Sequence, residues 1–180
     1  MLGLTRKSML IACCSIALPG TAFAATQGTI GSTSTGTVGI SATIPAKAQI
    51  SNLTDIAFGT VDPASAASQA ENVCVWSNTS GKGYQVTATG SGASSAFTLS
   101  NGTGTLPYSV EWAATVGQTA GTALVSGTAL TGLASTATTP GCTSGPTNSA
   151  SLVVKMTAAN LQAAVASTYN GTLTLVVAPQ

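Results

Sequence analysis

Thr29-Ile30-Gly31-Ser32-Thr33-Ser34-Thr35-Gly36-Thr37-Val38-Gly39-Ile40-Ser41-Ala42-Thr43-Ile44 places every large apolar side chain at an even position: Ile30, Val38, Ile40 and Ile44, with small Ala42 between. The odd positions hold only Thr, Gly and Ser. A period of two puts all the apolar side chains on one face of an extended strand. At roughly 3.3 Å per residue such a strand reaches about 50 Å, long for a small domain. Pro45 ends it, because proline has no N–H to give to a ladder. The stretch is therefore read as a detachable N-terminal strand, and its partner decides what the protein does.

The composition narrows that choice. Hydrophobic residues make up 44% of the 180, but aromatic residues only 4% and charged residues 5%. The apolar content is alanine and β-branched residues, and no apolar run reaches the ~20 residues of a membrane span. The chain contains no histidine, which removes Ser/His/Asp and Cys/His catalysis and the usual zinc sets. No metal or cofactor is expected, and the chain does not read as an enzyme. Asp55 and Asp62 sit where acids commonly cap strands and turns rather than as a glycosidase pair. Ser80-Gly81-Lys82-Gly83 lacks the spacing of a phosphate loop and is read as a hairpin turn.

Residues 1–24 have the form of a secretory signal: Arg6 and Lys7, the apolar Met9–Leu18, then Thr21-Ala22-Phe23-Ala24 as the cleavage site. Leu10-Ile11-Ala12-Cys13 is too close to Lys7 to serve instead as a lipoprotein site. Cleavage after Ala24 leaves three lysines against four acids, a net charge of −1 with no basic patch for nucleic acid. It also leaves only Cys74 and Cys142, which in an exported chain are expected to form one disulfide.

Further along, a short strand or turn is expected at Ala46–Ile50, and strands at Ile56–Val61, Val73–Ser77, Tyr84–Ala88, Phe97–Ser100, Leu106–Trp112, Ala123–Val125, Leu152–Met156 and Thr172–Val177. Asp62–Ala70 and most of Thr115–Pro146 read as loops of small residues, and Asn160–Val165 as a helical turn. Trp76, Trp112, Tyr84 and Tyr108 are read as core fillers rather than as a sugar platform. The sequons at Asn52, Asn78, Asn101 and Asn170 are what chance supplies in a chain rich in Ser and Thr. Short strands at even spacing without a long helix predict an all-β sandwich. If its last strand lacks a partner, the exposed edge invites pairing with another chain. Otherwise the N-terminal strand is simply the first strand of a self-complete sandwich, and the protein a monomeric secreted or cell-surface binding module, such as one for carbohydrate.

Several stretches together resemble the chaperone–usher pilins. These are the alternating N-terminal strand, Thr54-Asp55-Ile56-Ala57-Phe58-Gly59-Thr60-Val61-Asp62-Pro63, Val73-Cys74-Val75-Trp76 and Tyr84-Gln85-Val86. Ile40-Ser41-Ala42-Thr43-Ile44-Pro45 and Tyr169–Val177 are similar to the first and closing strands of the archaic, spore-coat-protein-U-like group and of the alpha group of class 5 fimbriae. The chain has Ala46-Lys47-Ala48-Gln49 where spore-coat-U-like domains often carry a cysteine, and it ends Ala178-Pro179-Gln180 without the penultimate tyrosine of the type 1 group. The resemblance implies an incomplete immunoglobulin-like β-sandwich at 46–180, preceded by a donor-strand extension at 25–45. A periplasmic chaperone would lend the missing strand. The extension of an identical or related subunit would then replace it at an outer-membrane usher, building a pilus on the cell surface that supports adhesion or biofilm formation. By the same resemblance Ile30, Val38, Ile40, Ala42 and Ile44 would be donor residues, Ile30 the outermost. Leu173, Leu175 and Val177 would border the acceptor groove.

Overall fold

A computed structural model of the chain describes residues 24–180. The expected leader lies outside these residues, apart from Ala24. The chain divides between Ile44 and Pro45 into two units.

In the first unit the expected sixteen-residue strand is interrupted. The chain bends at residues 30–33, and Thr26 and Thr37 face each other in an isolated antiparallel bridge. Ile30 thus sits in a bend, while Val38–Ile44 joins no ladder among the described residues. A strand persists only where a partner satisfies its main chain, and Gly-Ser-Thr sequence without buried side chains bends easily.

The second unit is built almost wholly of antiparallel strands: β1 (Ala48–Ser51), β2 (Ala67–Ser77), β3 (Gly83–Gly90), β4 (Thr98–Ser100), β5 (Thr105–Pro107), β6 (Ser109–Ala113), β7 (Thr122–Ala123), β8 (Ala129–Ala134), β9 (Ala150–Met156) and β10 (Leu173–Pro179). The one α-helix described is α1 (Ala158–Ala163), whose first turn is capped by the Thr157 hydroxyl accepting from the Asn160 N–H at 3.2 Å. The sheets run β1-β2-β9-β6-β7, β10-β3-β8 and β4-β5.

Alternation explains the core. Leu106, Tyr108, Val110 and Trp112 are all buried, as their period of two requires. The run splits into β5 and β6 at Tyr108, so that Leu106 pairs with β4 while β6 turns to β9. Leu152, Val154 and Met156 of β9 meet Val73 and Val75 of β2 and Tyr84, Val86 and Ala88 of β3 in one apolar cluster. Trp112 and Tyr84 link the two larger sheets: the rings meet edge to face with centroids 6.5 Å apart, and the indole N–H donates to the Tyr84 hydroxyl at 3.0 Å. Burial pushes the Tyr84 hydroxyl pKa up, offset in part by that bond. Trp76 departs from the expectation of a core filler, lying half-buried against Cys74, Ala137 and Cys142.

Three expected elements differ. Ile56–Val61 forms no strand, although Ile56, Phe58 and Val61 are half-buried against the core. Ala67–Ala70, expected as loop, is the first half of β2 and pairs with Val153–Met156. β8 replaces part of the expected Thr115–Pro146 loop. Its leucines are three apart, yet Leu133 pairs with Tyr84 and Leu130 with Val86, because a bulge with Gly132 at φ +73° inserts a residue between them.

On β6, Glu111 takes two bonds from the Lys155 ammonium at 2.7 and 2.8 Å and one from the Gly121 N–H at 2.9 Å. The Lys155 bonds, more than the Gly121 one, hold its pKa below the ordinary glutamate value. The folded state therefore binds fewer protons than the unfolded state through that window. The stabilisation is complete above the ordinary glutamate pKa and is lost as pH falls through the lowered one. Glu111→Gln is expected to flatten the fall in melting temperature between about pH 5 and pH 3, and to cost up to about 1 kcal/mol near neutrality, the scale of a partly exposed pair. Parallel pH-melting curves of the two proteins check this.

Candidate functional site: an open apolar groove

Along β10 the core lies open. Among the described residues β10 pairs on one side only, from Leu173↔Gly90 to Pro179↔Tyr84. Its other edge faces the segment 53–61, which brings no ladder of its own. Between them runs a cavity of about 520 Å³; a second of about 710 Å³, lined by residues of 56–63 and 161–171, shares Ile56, Phe58, Leu99, Met156, Asn170 and Gly171 with it and continues the groove away from β10.

Each wall follows from the chain. Leu173 and Leu175 alternate on β10 and line the groove, while Val177 packs against the core without lining it. The opposite wall is Leu53 with Ile56 and Phe58, the last two being the face expected of a strand at Ile56–Val61. Leu152, Val154 and Met156 line it from β9, joined by Tyr108, whose hydroxyl burial pushes up in pKa. At the far end α1 contributes Leu161, followed by Ala164 and Val165.

One end is acidic. Asp55 and Glu71 both line it; Glu71 Oε1 accepts from the Thr54 N–H, whereas its Oε2 is buried without a hydrogen-bond partner. A buried carboxylate oxygen left unpaired is costly, so this end suits an occupant that brings a donor. Asp62, by contrast, accepts from the Ala64 N–H at 2.9 Å in a local turn.

The wall formed by 53–58 is tied to the rest of the domain through β1. Asn52 donates to the Thr147 carbonyl at 2.8 Å and to Asn148 Oδ1 at 3.1 Å. The loop it grips is fastened to β2 by the Cys74–Cys142 disulfide, the pairing expected from the sequence.

In the first unit Ile30, Val38, Ile40 and Ile44 are exposed large apolar side chains, and Ala42 is exposed with them. Glu71, Leu99 and Met156 were not singled out as site residues by sequence. Met156 sits on the alternating face of β9 and was legible in principle; Glu71, amid small and polar residues, carried no signal.

Among the described residues there is no helix long and apolar enough to cross a membrane, and no group of three or more acids or cysteines placed to hold a metal. Compared with known proteins, the chain matches no family model and no curated protein sequence.

Proposed function

We propose that the protein is the structural subunit of a chaperone–usher fibre, an incomplete immunoglobulin-like β-sandwich that polymerises head to tail by accepting the N-terminal strand of the next copy. The observation that carries the reading is the pairing of unmet needs. The domain has an apolar groove beside an unpaired strand edge, and the chain carries an alternating segment, Val38–Ile44, whose main chain joins no ladder and whose apolar side chains are exposed. A β-strand added at β10 would satisfy both: ladder bonds for affinity, alternate side chains in the groove for register. Burying Val38, Ile40 and Ile44 would contribute about 1.5–3 kcal/mol each.

Because the contact is between two different surfaces, it does not close on itself and propagates as a filament. An exposed groove of this kind also needs covering before assembly, the role of a periplasmic chaperone, with an outer-membrane usher as the place of exchange and the cell surface as the destination. Adhesion or biofilm formation is the use such a fibre serves. No chemistry is assigned to it.

The protein spanning residues 25–180 is expected to give a concentration-dependent series of oligomers in analytical ultracentrifugation. The protein lacking 25–45 is expected to stay monomeric at every concentration. Monomers in both would leave a secreted module with a self-contained fold and remove the fibre reading.

A further inference from the structure

We infer that Asn78 is a positioning residue that commits the N-terminal strand to another copy by denying it the turn back into its own groove. The inference rests on the donor-strand reading above. Asn78 follows β2 and holds the junction with three bonds: its Oδ1 accepts from the Lys47 N–H at 2.6 Å, its Nδ2 donates to the Pro45 carbonyl at 2.9 Å, and its main-chain N–H donates to the Lys47 carbonyl at 3.1 Å. The side-chain amide thereby acts as an extra peptide unit, prolonging the β1–β2 ladder past Ala48↔Ser77.

The consequence lies in chain direction. The groove wall at 53–58 follows β1, whereas the donor segment precedes it. To enter the groove of its own domain, the chain has to reverse between Ile44 and Ala48. The sequence there favours a reversal: in Ile44-Pro45-Ala46-Lys47, proline occupies the second position of a β-turn, where its fixed φ suits types I and II. The bond that closes such a turn runs from the Lys47 N–H to the Ile44 carbonyl. Asn78 Oδ1 already takes that N–H, and Nδ2 fixes the Pro45 carbonyl. While Asn78 holds these two groups, the closing bond of that turn cannot form.

The test uses the protein spanning residues 25–180, wild type, Asn78→Ala and Asn78→Asp, reading amide hydrogen exchange at the unpaired edge of β10 over a concentration series. Asn78→Asp keeps the acceptor for Lys47 and loses the donor to Pro45, and it serves if the alanine variant folds poorly. Wild-type protection is expected to rise with concentration, as pairing between copies requires. In Asn78→Ala a concentration-independent protected fraction is expected, roughly 5- to 30-fold larger than in wild type, the effect of losing two modest hydrogen bonds. Asn78→Asp is expected to fall between them. Wild type and variants with the same concentration dependence would overturn the role of Asn78 and leave strand exchange standing. Concentration-independent protection in wild type would overturn it as well, since the chain would then fold back past the clamp. No protection at any concentration in any of the proteins would overturn strand exchange itself, and the clamp's role with it.

Discussion

Adding a peptide spanning Gly28–Ala46 to the protein lacking residues 25–45 is expected to raise its melting temperature by about 10 °C. The size follows from linkage: a ligand at 100 times its dissociation constant stabilises the folded state by about 2.7 kcal/mol, and a domain of this length gains a few degrees per kcal/mol. Composition alone does not produce the effect if the groove reads alternation. A control peptide interchanging Val38 with Thr37, Ile40 with Gly39 and Ile44 with Thr43 has the same residues, but turns the apolar face to solvent. It is expected to give almost no shift. A second control, Ile40→Asp in the original phase, places a charge against Leu173 or Leu175 and should fail likewise. Equal shifts from all three peptides would mean non-specific association. No shift from any of them would mean that the opening along β10 does not take a strand.

The peptide's length carries further information. Ile30 lies in a bend behind the Thr26–Thr37 bridge, apart from the unbridged Val38–Ile44. A shorter peptide, Gly36–Ala46, is therefore expected to stabilise nearly as well as the long one. That would confine the donor to Val38, Ile40, Ala42 and Ile44 and leave Ile30 outside the contact.

What the sequence disclosed, and what it hid, follows from the kind of signal each segment carries. Leu106–Trp112 alternates large residues over small or polar ones, so its buried face was legible, and Leu152–Met156 was legible as a nearly continuous apolar run, with Val153 buried as well as Leu152, Val154 and Met156. β8 was hidden because its bulge at Gly132 turns a three-residue spacing into same-face leucines. The first half of β2 was hidden because Ala67, Ser68, Gln69 and Ala70 carry no amphipathic signal; pairing with β9 makes them strand. Ile56–Val61 misled in the opposite sense. Its alternation is that of a half-buried strand, yet among the described residues no ladder partner pairs with it, and local pattern cannot report an absent neighbour. That failure coincides with the groove: the residues that look like strand and are not are the ones facing the open edge of β10. Asn78 read as turn chemistry, and its grip on Pro45 and Lys47 depends on a pairing 31 residues away that spacing does not reveal.

Replacing both cysteines, Cys74→Ala with Cys142→Ala, is expected to be the most destabilising change that leaves the main apolar cluster intact. The bridge spans 68 residues, for which the chain-entropy model gives about 4 kcal/mol, or a fall in melting temperature of roughly 10–15 °C. The double substitution is the right comparison because it leaves no lone thiol to oxidise or pair wrongly. Stability is only half of the expected result. With the bridge gone, Val75 still holds the same region through the Ser149 hydroxyl, which donates to its carbonyl and accepts from its N–H at 2.9 Å each, and through the hydroxyl of Ser135. The loop between those serines loses its fixed point, and Thr147 and Asn148, which carry Asn52 and so the start of the groove wall, lie inside it. The double variant is therefore expected to bind the Gly28–Ala46 peptide several-fold more weakly at a temperature where it remains folded. Tryptophan fluorescence would establish that it is folded, and titration of the peptide would measure the affinity. A variant with lowered melting temperature and unchanged affinity would confine the disulfide to global stability and detach it from the groove. Weakened affinity in a folded domain would make it part of the strand-binding site, acting through Asn52 on the wall that faces β10.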